Sequence, residues 1–335
     1  MYSNGKGYVG DLIKSRRAET DKRLSKIQGL LKDAARVAKG KGCVYATGSF
    51  GRGEASQFSD LDLFIVGGSV DGRRALGNLD EICIKADLVE ATRQLRIPDF
   101  SGDGEYLVHY AVTELVGALG TPRDDANNTF TARLLLLLES RPLIGEDVYA
   151  QAIDDVIAAY WRDFEDHKKE FIPAFLSNDI LRLWRTFCVN YEASTHTDPP
   201  EKKAKRKLKN YKLKHSRLLT CYSALVYLLA VFRSRKTVTP QDAREMVRLR
   251  PTERLEYLLQ QREFRSAHEK IRELIAHYER FLEKSEAGEE VLIQQFLDRE
   301  TSKEFFLQAN EFGNLVFDLL QLIGRDARFY RLLMV

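Results

Sequence analysis

Cysteine is scarce in this chain and scattered. The four residues, Cys43, Cys83, Cys188 and Cys221, form no CxxC pair, so neither a zinc ribbon nor a redox dithiol is expected. They read as small buried hydrophobes of a reducing compartment. Histidine is equally thin: six dispersed residues give no metal-binding cluster and no Ser/His/Asp arrangement for nucleophilic catalysis. A dominant charge sign is also missing. A net charge of +3 over 335 residues excludes a polycation, and any case for nucleic acid has to rest on a local patch. The opening residues, MYSNGKGYVG, carry no apolar signal core. The longest apolar run, Leu218 to Phe232, contains Thr220 and Ser223, is flanked by charge, and falls short of the roughly 20 residues of a membrane span. It reads as a buried helix, and the expectation is a cytoplasmic protein without membrane contact.

What the chain does have is globular: 44% hydrophobic and 30% charged residues supply ample core material, and the length leaves room for two or three domains. Residues 8–39 show apolar positions at helical spacing (Val9, Leu12, Ile13, Leu24, Ile27, Leu30, Leu31, Ala34), ended by Gly40-Lys41-Gly42. A strand at Cys43–Thr47 runs into a glycine-rich turn, and a second strand spans Asp60–Val66. A helix near Arg73–Leu95 follows, then a candidate third strand at Glu105–Tyr110. From about residue 125 strand signals stop and helical ones take over, with starts marked at Thr239-Pro240 and at Thr301 with Glu304. The spacing predicts an α+β head over 1–125 and an all-helical domain over 126–335.

The chemistry concentrates in GSFGRGEASQFSDLDLFIV, residues 48–66. On a strand, Asp60 and Asp62 share one face while Leu61 and Leu63 share the other. Two carboxylates so close repel unless a cation lies between them. A pair of Mg²⁺ (or Mn²⁺) ions does this, and can clamp the attacking and leaving oxygens of an in-line phosphoryl displacement. The upstream glycines let backbone N–H groups approach phosphate oxygens, the Ser49 hydroxyl can donate, and Arg52 adds positive charge. A lone DxD or a lone glycine turn is common. A strand, a GS turn and then DxD opening a second hydrophobic strand has few innocent explanations.

GSFGRGEASQFSDLDL resembles the signature of the DNA polymerase β-like nucleotidyltransferase superfamily. By its GRGE and SDxDL elements it resembles bacterial protein-PII uridylyltransferase-type domains and related nucleotidyltransferases more nearly. Cyclic-oligonucleotide synthases of antiphage defence have a similar turn, usually with Thr where this chain has Glu54. The specific match covers about 20 residues. The resemblance implies a mixed five-stranded sheet with packed helices, and transfer of a nucleoside monophosphate from an NTP with release of pyrophosphate. It implies that Gly48 and Ser49 hold the triphosphate and that Asp60 and Asp62 bind metal. Many members have a third carboxylate on a later strand. Here Glu105 is the first choice and Asp103 the second; His109 could also take a proton, and a genuine absence stays open. Asp87 and Glu90 read as the exposed face of a helix.

The segment Glu201–Arg217 holds nine Lys or Arg and one acid. Its end runs into the buried helix, and the resemblance implies that helical-domain cations grip the triphosphate, which selects Lys212, Lys214 and Arg217 and has the segment 201–217 closing on the active site. Lys202–Lys209 suits a polyanion such as RNA by counterion release, but the run has no interleaved aromatics to stack bases. Asn178–Arg185 reads as a helix opening on an N-cap, with Asp179, Arg182 and Arg185 along one edge and Trp184 in a core. Arg123, Asp124 and Asp125 read as a loop. The acceptor hydroxyl is open: a protein side chain, an RNA end, a small molecule or a nucleotide. The alternatives are a non-catalytic NTP- and metal-binding regulatory module and, within the enzyme class, a defence-signal synthase or an RNA-modifying toxin.

Overall fold

The structure, a computed structural model, describes residues 10–70, 73–100, 104, 107–192 and 199–334. The chain divides into two units, each assembled from segments distant in sequence: Arg16–Lys168 with Thr239–Arg250, and Met1–Ser15 with Lys169–Val238 and Pro251–Val335.

The first of these units holds every strand among the described residues. In chain order these are β1 (Gly42–Ala46), β2 (Leu63–Gly67), β3 (Ser69–Val70), β4 (Arg73–Arg74), β5 (His109–Ala111) and β6 (Arg141–Ile144). The main sheet has the order β5-β2-β1-β6, and β3 and β4 make a separate small hairpin. The sheet is mixed: β1 pairs antiparallel with both β2 and β6, and β2 pairs parallel with β5. Four strands, not five, make it among the described residues. Nor do strands end at residue 125, because β6 lies beyond it. Arg141-Pro142-Leu143-Ile144 is short and follows a helix directly, so its alternation is too brief to stand out from the apolar run before it.

The pleat sends alternate residues to opposite faces. Val44, Ala46, Leu63 and Ile65 share a core with Leu24 and Ile27 of the helix Asp11–Leu30, with Leu31, with Ala34 and Ala38 of the helix Lys32–Ala38, and with Ile84 and Leu88 of the helix Asn78–Gln94. The helix expected over 8–39 is thus broken at Leu31. On the other face Tyr45 stacks on Phe64 at 5.6 Å, meets Tyr149 of the helix Glu146–Tyr160 at 6.0 Å, and donates to the Ala132 carbonyl of the helix Thr129–Leu138. That last helix is tied down by a fully buried pair: Arg133 Nη2 lies 2.6 Å from Asp124 Oδ2, and Nη1 lies 2.9 Å from Oδ1. Asp124 is therefore no loop residue; bidentate pairing compensates the cost of burying its charge. The segment Thr239–Arg250 rejoins this unit. Thr239 and Asp242 make a reciprocal capping box, as the Thr-Pro pair suggests, and Arg244 binds Asp154 at 2.5 Å.

The other unit contains only helices among its described residues. Glu279 accepts from the backbone N–H of Leu12 at 2.9 Å and so caps the helix Asp11–Leu30. The helix Arg299–Gly324 is capped by Asp298, which accepts from Thr301 N at 2.8 Å, and not by Thr301 with Glu304; Glu304 instead pairs with Lys284. Pro200–Lys212 and Leu218–Arg235 form one continuous rod, joined by a π-helical turn at Leu213–Arg217. An 18-residue window of this rod is apolar enough to cross a membrane, and 83% of that window is buried in the protein.

At the π turn His215 is fully buried. Its ring lies parallel to Phe281 at 4.4 Å and stacks on Phe312 at 4.9 Å, and Nδ1 lies 2.9 Å from the Tyr211 carbonyl oxygen. Burial, aided by His277 and Lys214 and opposed by the bond to Tyr211, pushes its pKa down from 6.5 to about 3. A histidine held neutral in this way contributes its full stability above pH 6.5 and loses it as pH falls toward 3. Chemical denaturation followed between pH 7 and pH 4 is expected to show a loss on the order of 3 kcal/mol at pH 4 from this group alone. His215→Phe, which keeps the stacking, is expected to flatten that acid limb.

Candidate active site

The turn after β1 is not an open loop. Gly48–Arg52 forms a five-residue helix that starts after Thr47, and Gly53 ends it in the left-handed region at φ 74°. Thr47 N–H donates to the Asp62 carbonyl at 2.8 Å, which carries the β1–β2 ladder one residue past the Ala46–Leu63 pair. Thr47 and Asp62 therefore stand opposite each other at the mouth of the sheet. Phe50 anchors the turn: its ring is wholly buried in the core beneath the sheet, with the Arg23 guanidinium 4.6 Å from its centroid.

Asp60 and Asp62 sit just before β2 and not inside it. The alternation expected of a strand still holds there. Both acids are exposed, while Leu61 and Leu63 are buried. Both carboxylates thus share the face opposite the core. Asp62 also reaches the glycine turn: a Cβ built on Gly48 would lie 2.3 Å from Asp62 Oδ2. Gly48 has φ 61°, so two independent constraints require glycine here, a left-handed backbone and the carboxylate against its Cα. Ser49, the next residue, is half-exposed and its hydroxyl has no hydrogen bond among the described residues.

Two expectations about this turn need correction. The Gly48 N–H does not point to an open phosphate site; it donates to Glu139 Oε1 at 3.0 Å. Arg52 does not offer its charge to solvent. It is buried, with Nε 2.8 Å from Glu54 Oε2 and Nη1 3.0 Å from Glu139 Oε2. Two carboxylates neutralise it, as burial of a guanidinium demands. Gly51 is needed for the same assembly, because a Cβ there would lie 1.8 Å from the Glu139 carbonyl oxygen. Glu139 and the pairing role of Glu54 are invisible to local reading. Glu139 is 91 residues from Gly48, and nothing around it in sequence marks it.

His109 is not a base for this site. It pairs with Ile65 in the parallel β2–β5 register, on the core face, about 10 Å along the strand from Asp62 at 3.3 Å per residue. Its ring is buried against Gly67, with Nδ1 3.3 Å from Glu81 Oε2; burial lowers its pKa, against the pull of Glu81. Glu105 and Asp103 lie outside the described residues. Glu90 is exposed and Asp87 half-buried on the helix Asn78–Gln94, as a helical surface should be.

Lys212, Lys214 and Arg217 belong to the helical unit. Lys212 is exposed, Lys214 is half-buried, and the Arg217 guanidinium lies 5.4 Å from the Phe187 ring centroid. The reading of Asn178–Arg185 as a helix start also changes. The helix begins at Ala174, Asp179 is buried inside it 3.7 Å from Arg182, and Trp184 is half-exposed instead of core.

Among the described residues no group of three or more His, Cys, Asp or Glu is placed to hold a metal ion. The pair Asp60 and Asp62 still fits a hard divalent cation. Mg²⁺ commonly takes one or two protein carboxylates and completes its octahedron with water and substrate phosphates, and both acids face outward where a substrate can reach them.

Residues 24–105 match the family model of the nucleotidyltransferase domain. No curated protein and no solved structure gives a significant match to the chain. The match spans the glycine turn and both acids, so the chain carries a nucleotidyltransferase domain, consistent with the DNA polymerase β-like superfamily that its GSFGRGE and SDLDL elements resemble.

Proposed function

We propose that this domain transfers a nucleoside monophosphate from an NTP to a hydroxyl acceptor and releases pyrophosphate, with a divalent cation held by Asp60 and Asp62. The observation that carries the reading is the Asp62 carboxylate lying against the Cα of Gly48. The acid of the DxD pair and the glycine-serine turn thus meet at one point although 14 positions separate them in sequence.

Each residue then has a task that its position supports. Asp60 and Asp62 supply outward-facing oxygen ligands on one face. Mg²⁺ or Mn²⁺, when bound, would neutralise triphosphate charge and orient the reacting oxygens in line. Ser49 offers a hydroxyl donor to a phosphate oxygen at the start of the short helix. The acceptor oxygen forms its bond to the α-phosphorus as the bond to pyrophosphate breaks, and the acceptor proton passes to a base, for which Glu105 is the first candidate. Arg52, Glu54 and Glu139 do not touch substrate in this reading; they fix the turn.

The test is incubation of the purified chain with each of the four α-labelled NTPs in Mg²⁺ and in Mn²⁺, with and without bulk tRNA and cell lysate. Label transfer or pyrophosphate release is expected, falling at least about a hundredfold in Asp60→Asn/Asp62→Asn. Metal-dependent NTP binding without transfer, lost in that variant, would instead make the domain a regulatory NTP sensor. Gly48→Ala probes the carriage of the site. The added methyl collides with the Asp62 carboxylate, so transfer should drop at least tenfold, with a stability loss of about 1–3 kcal/mol in denaturant titration.

A further inference from the structure

The basic stretch Lys202–Lys209 has no aromatic residues interleaved for stacking, yet the fold brings aromatics to the end of the rod's basic segment. Trp184 and Phe187 lie three apart on the helix Ala174–Glu192, and both are half-exposed. Trp184 meets the half-exposed ring of Tyr222 edge-on at 6.4 Å. The guanidinium of Arg217, from the π turn, sits 5.4 Å from the Phe187 centroid. Arg185 is exposed and near enough to Tyr222 to oppose the rise in its pKa that burial causes. Three rings and two guanidinium groups from two neighbouring helices thus make one patch of the helical unit.

The same rod carries more cations upstream. In the helix Pro200–Lys212, Ala204, Leu208 and Tyr211 are buried, while Lys202, Lys203, Lys209 and Lys212 stand exposed. Lys205 is paired with Glu289 at 2.6 Å, and that acid also feels Lys212 and Lys209. Tyr211 fixes the rod in the aromatic core of the unit, 4.9 Å from Phe305 and 5.4 Å from Phe281. The lysines are therefore presented on an anchored helix. Exposed lysines and an arginine carried by one rod, with half-exposed rings on it and on the helix Ala174–Glu192 and one ring under that guanidinium, are the combination that tracks a phosphodiester backbone and stacks bases.

We propose that this face of the helical unit binds single-stranded nucleic acid, with bases stacking on Trp184 and Phe187 and phosphates meeting Arg185, Arg217 and the exposed lysines of Pro200–Lys212. Charge complementarity argues for a polyanion, and the aromatic patch argues for one that carries planar bases. Binding here does not require the transfer chemistry of the glycine turn.

The chain has two tryptophans, and the other, Trp161, is buried, so intrinsic fluorescence offers a direct report on Trp184. The full chain is titrated with a fluorescein-labelled 12-nucleotide single-stranded RNA and with the matching DNA, at 50 and 200 mM salt, by anisotropy. Unlabelled oligonucleotide is titrated in parallel by tryptophan quenching. Expected are saturable binding, a quench lost in Trp184→Leu, and about tenfold weaker binding by that variant, with Trp184→Phe restoring most of it. Lys203→Gln/Lys209→Gln should weaken binding and reduce the salt slope by about one to two. Circular dichroism and thermal melting check that each variant folds. Asp60→Asn/Asp62→Asn should bind the oligonucleotide unchanged, which separates this surface from the transferase reading. Absence of binding, binding without quench that Trp184→Leu leaves intact, or equally tight binding of polyglutamate would each overturn the proposal; a preference between the RNA and DNA arms would name the natural ligand within it.

Discussion

The carboxylate of Glu139 is the point on which the edge of the sheet bearing the glycine turn and the two acids hangs. One oxygen takes the N–H of Gly48 and the other takes Arg52, which in turn holds Glu54. All three charged side chains lie inside the protein, where an unpaired charge would cost several kcal/mol, so the set persists only as a complete group. Its geometry fixes where the short helix Gly48–Arg52 can sit, and thereby where Ser49 is exposed and where the Asp62 carboxylate comes to rest. The glycines of the motif serve this assembly. Gly51 lets the helix press on the Glu139 backbone, and Gly48 leaves room for Asp62.

Much of this was legible in advance, for identifiable reasons. The two acids and their common face follow from a period of two, which survives even though Asp60 and Asp62 fall just outside the ladder. Thr239-Pro240 announces its helix because capping chemistry is local. The failures are the non-local cases. Arg52 looks like a phosphate ligand as long as Glu139 is unseen. Asp124 looks like a loop residue as long as Arg133 is unseen, and Trp184 looks like core because a helix containing Ile180, Leu181 and Leu183 has only one obvious place for a large ring. Strand β6 hides behind five consecutive leucines, a run in which periodicity carries no signal.

The helical unit is organised around aromatic packing more than around its charges. Tyr211, His215, Phe281 and Phe312 meet where the rod adopts a π turn, and the extra residue in that turn shifts the register between the basic helix before it and the apolar helix after it. The change of phase lets one continuous rod present lysines along its first half and bury nearly all of its second.

The return of Thr239–Arg250 to the sheet-bearing unit has a consequence for how the protein is made. Arg250 pairs with Asp21 and lies against Gly53 at the end of the glycine turn, and Arg141 donates to the Arg248 carbonyl at 3.3 Å. A ribosome that has released residue 168 must still add 82 residues, from 169 through 250, before these contacts can form. At the usual 5–20 residues per second that interval is roughly 4–16 s. During it the strands and the glycine turn exist in the nascent chain without their last supporting helix. The unit that carries the acids cannot be completed until residues 169–238 of its neighbour have been made, and a genetic fragment ending at residue 168 would lack part of its own wall.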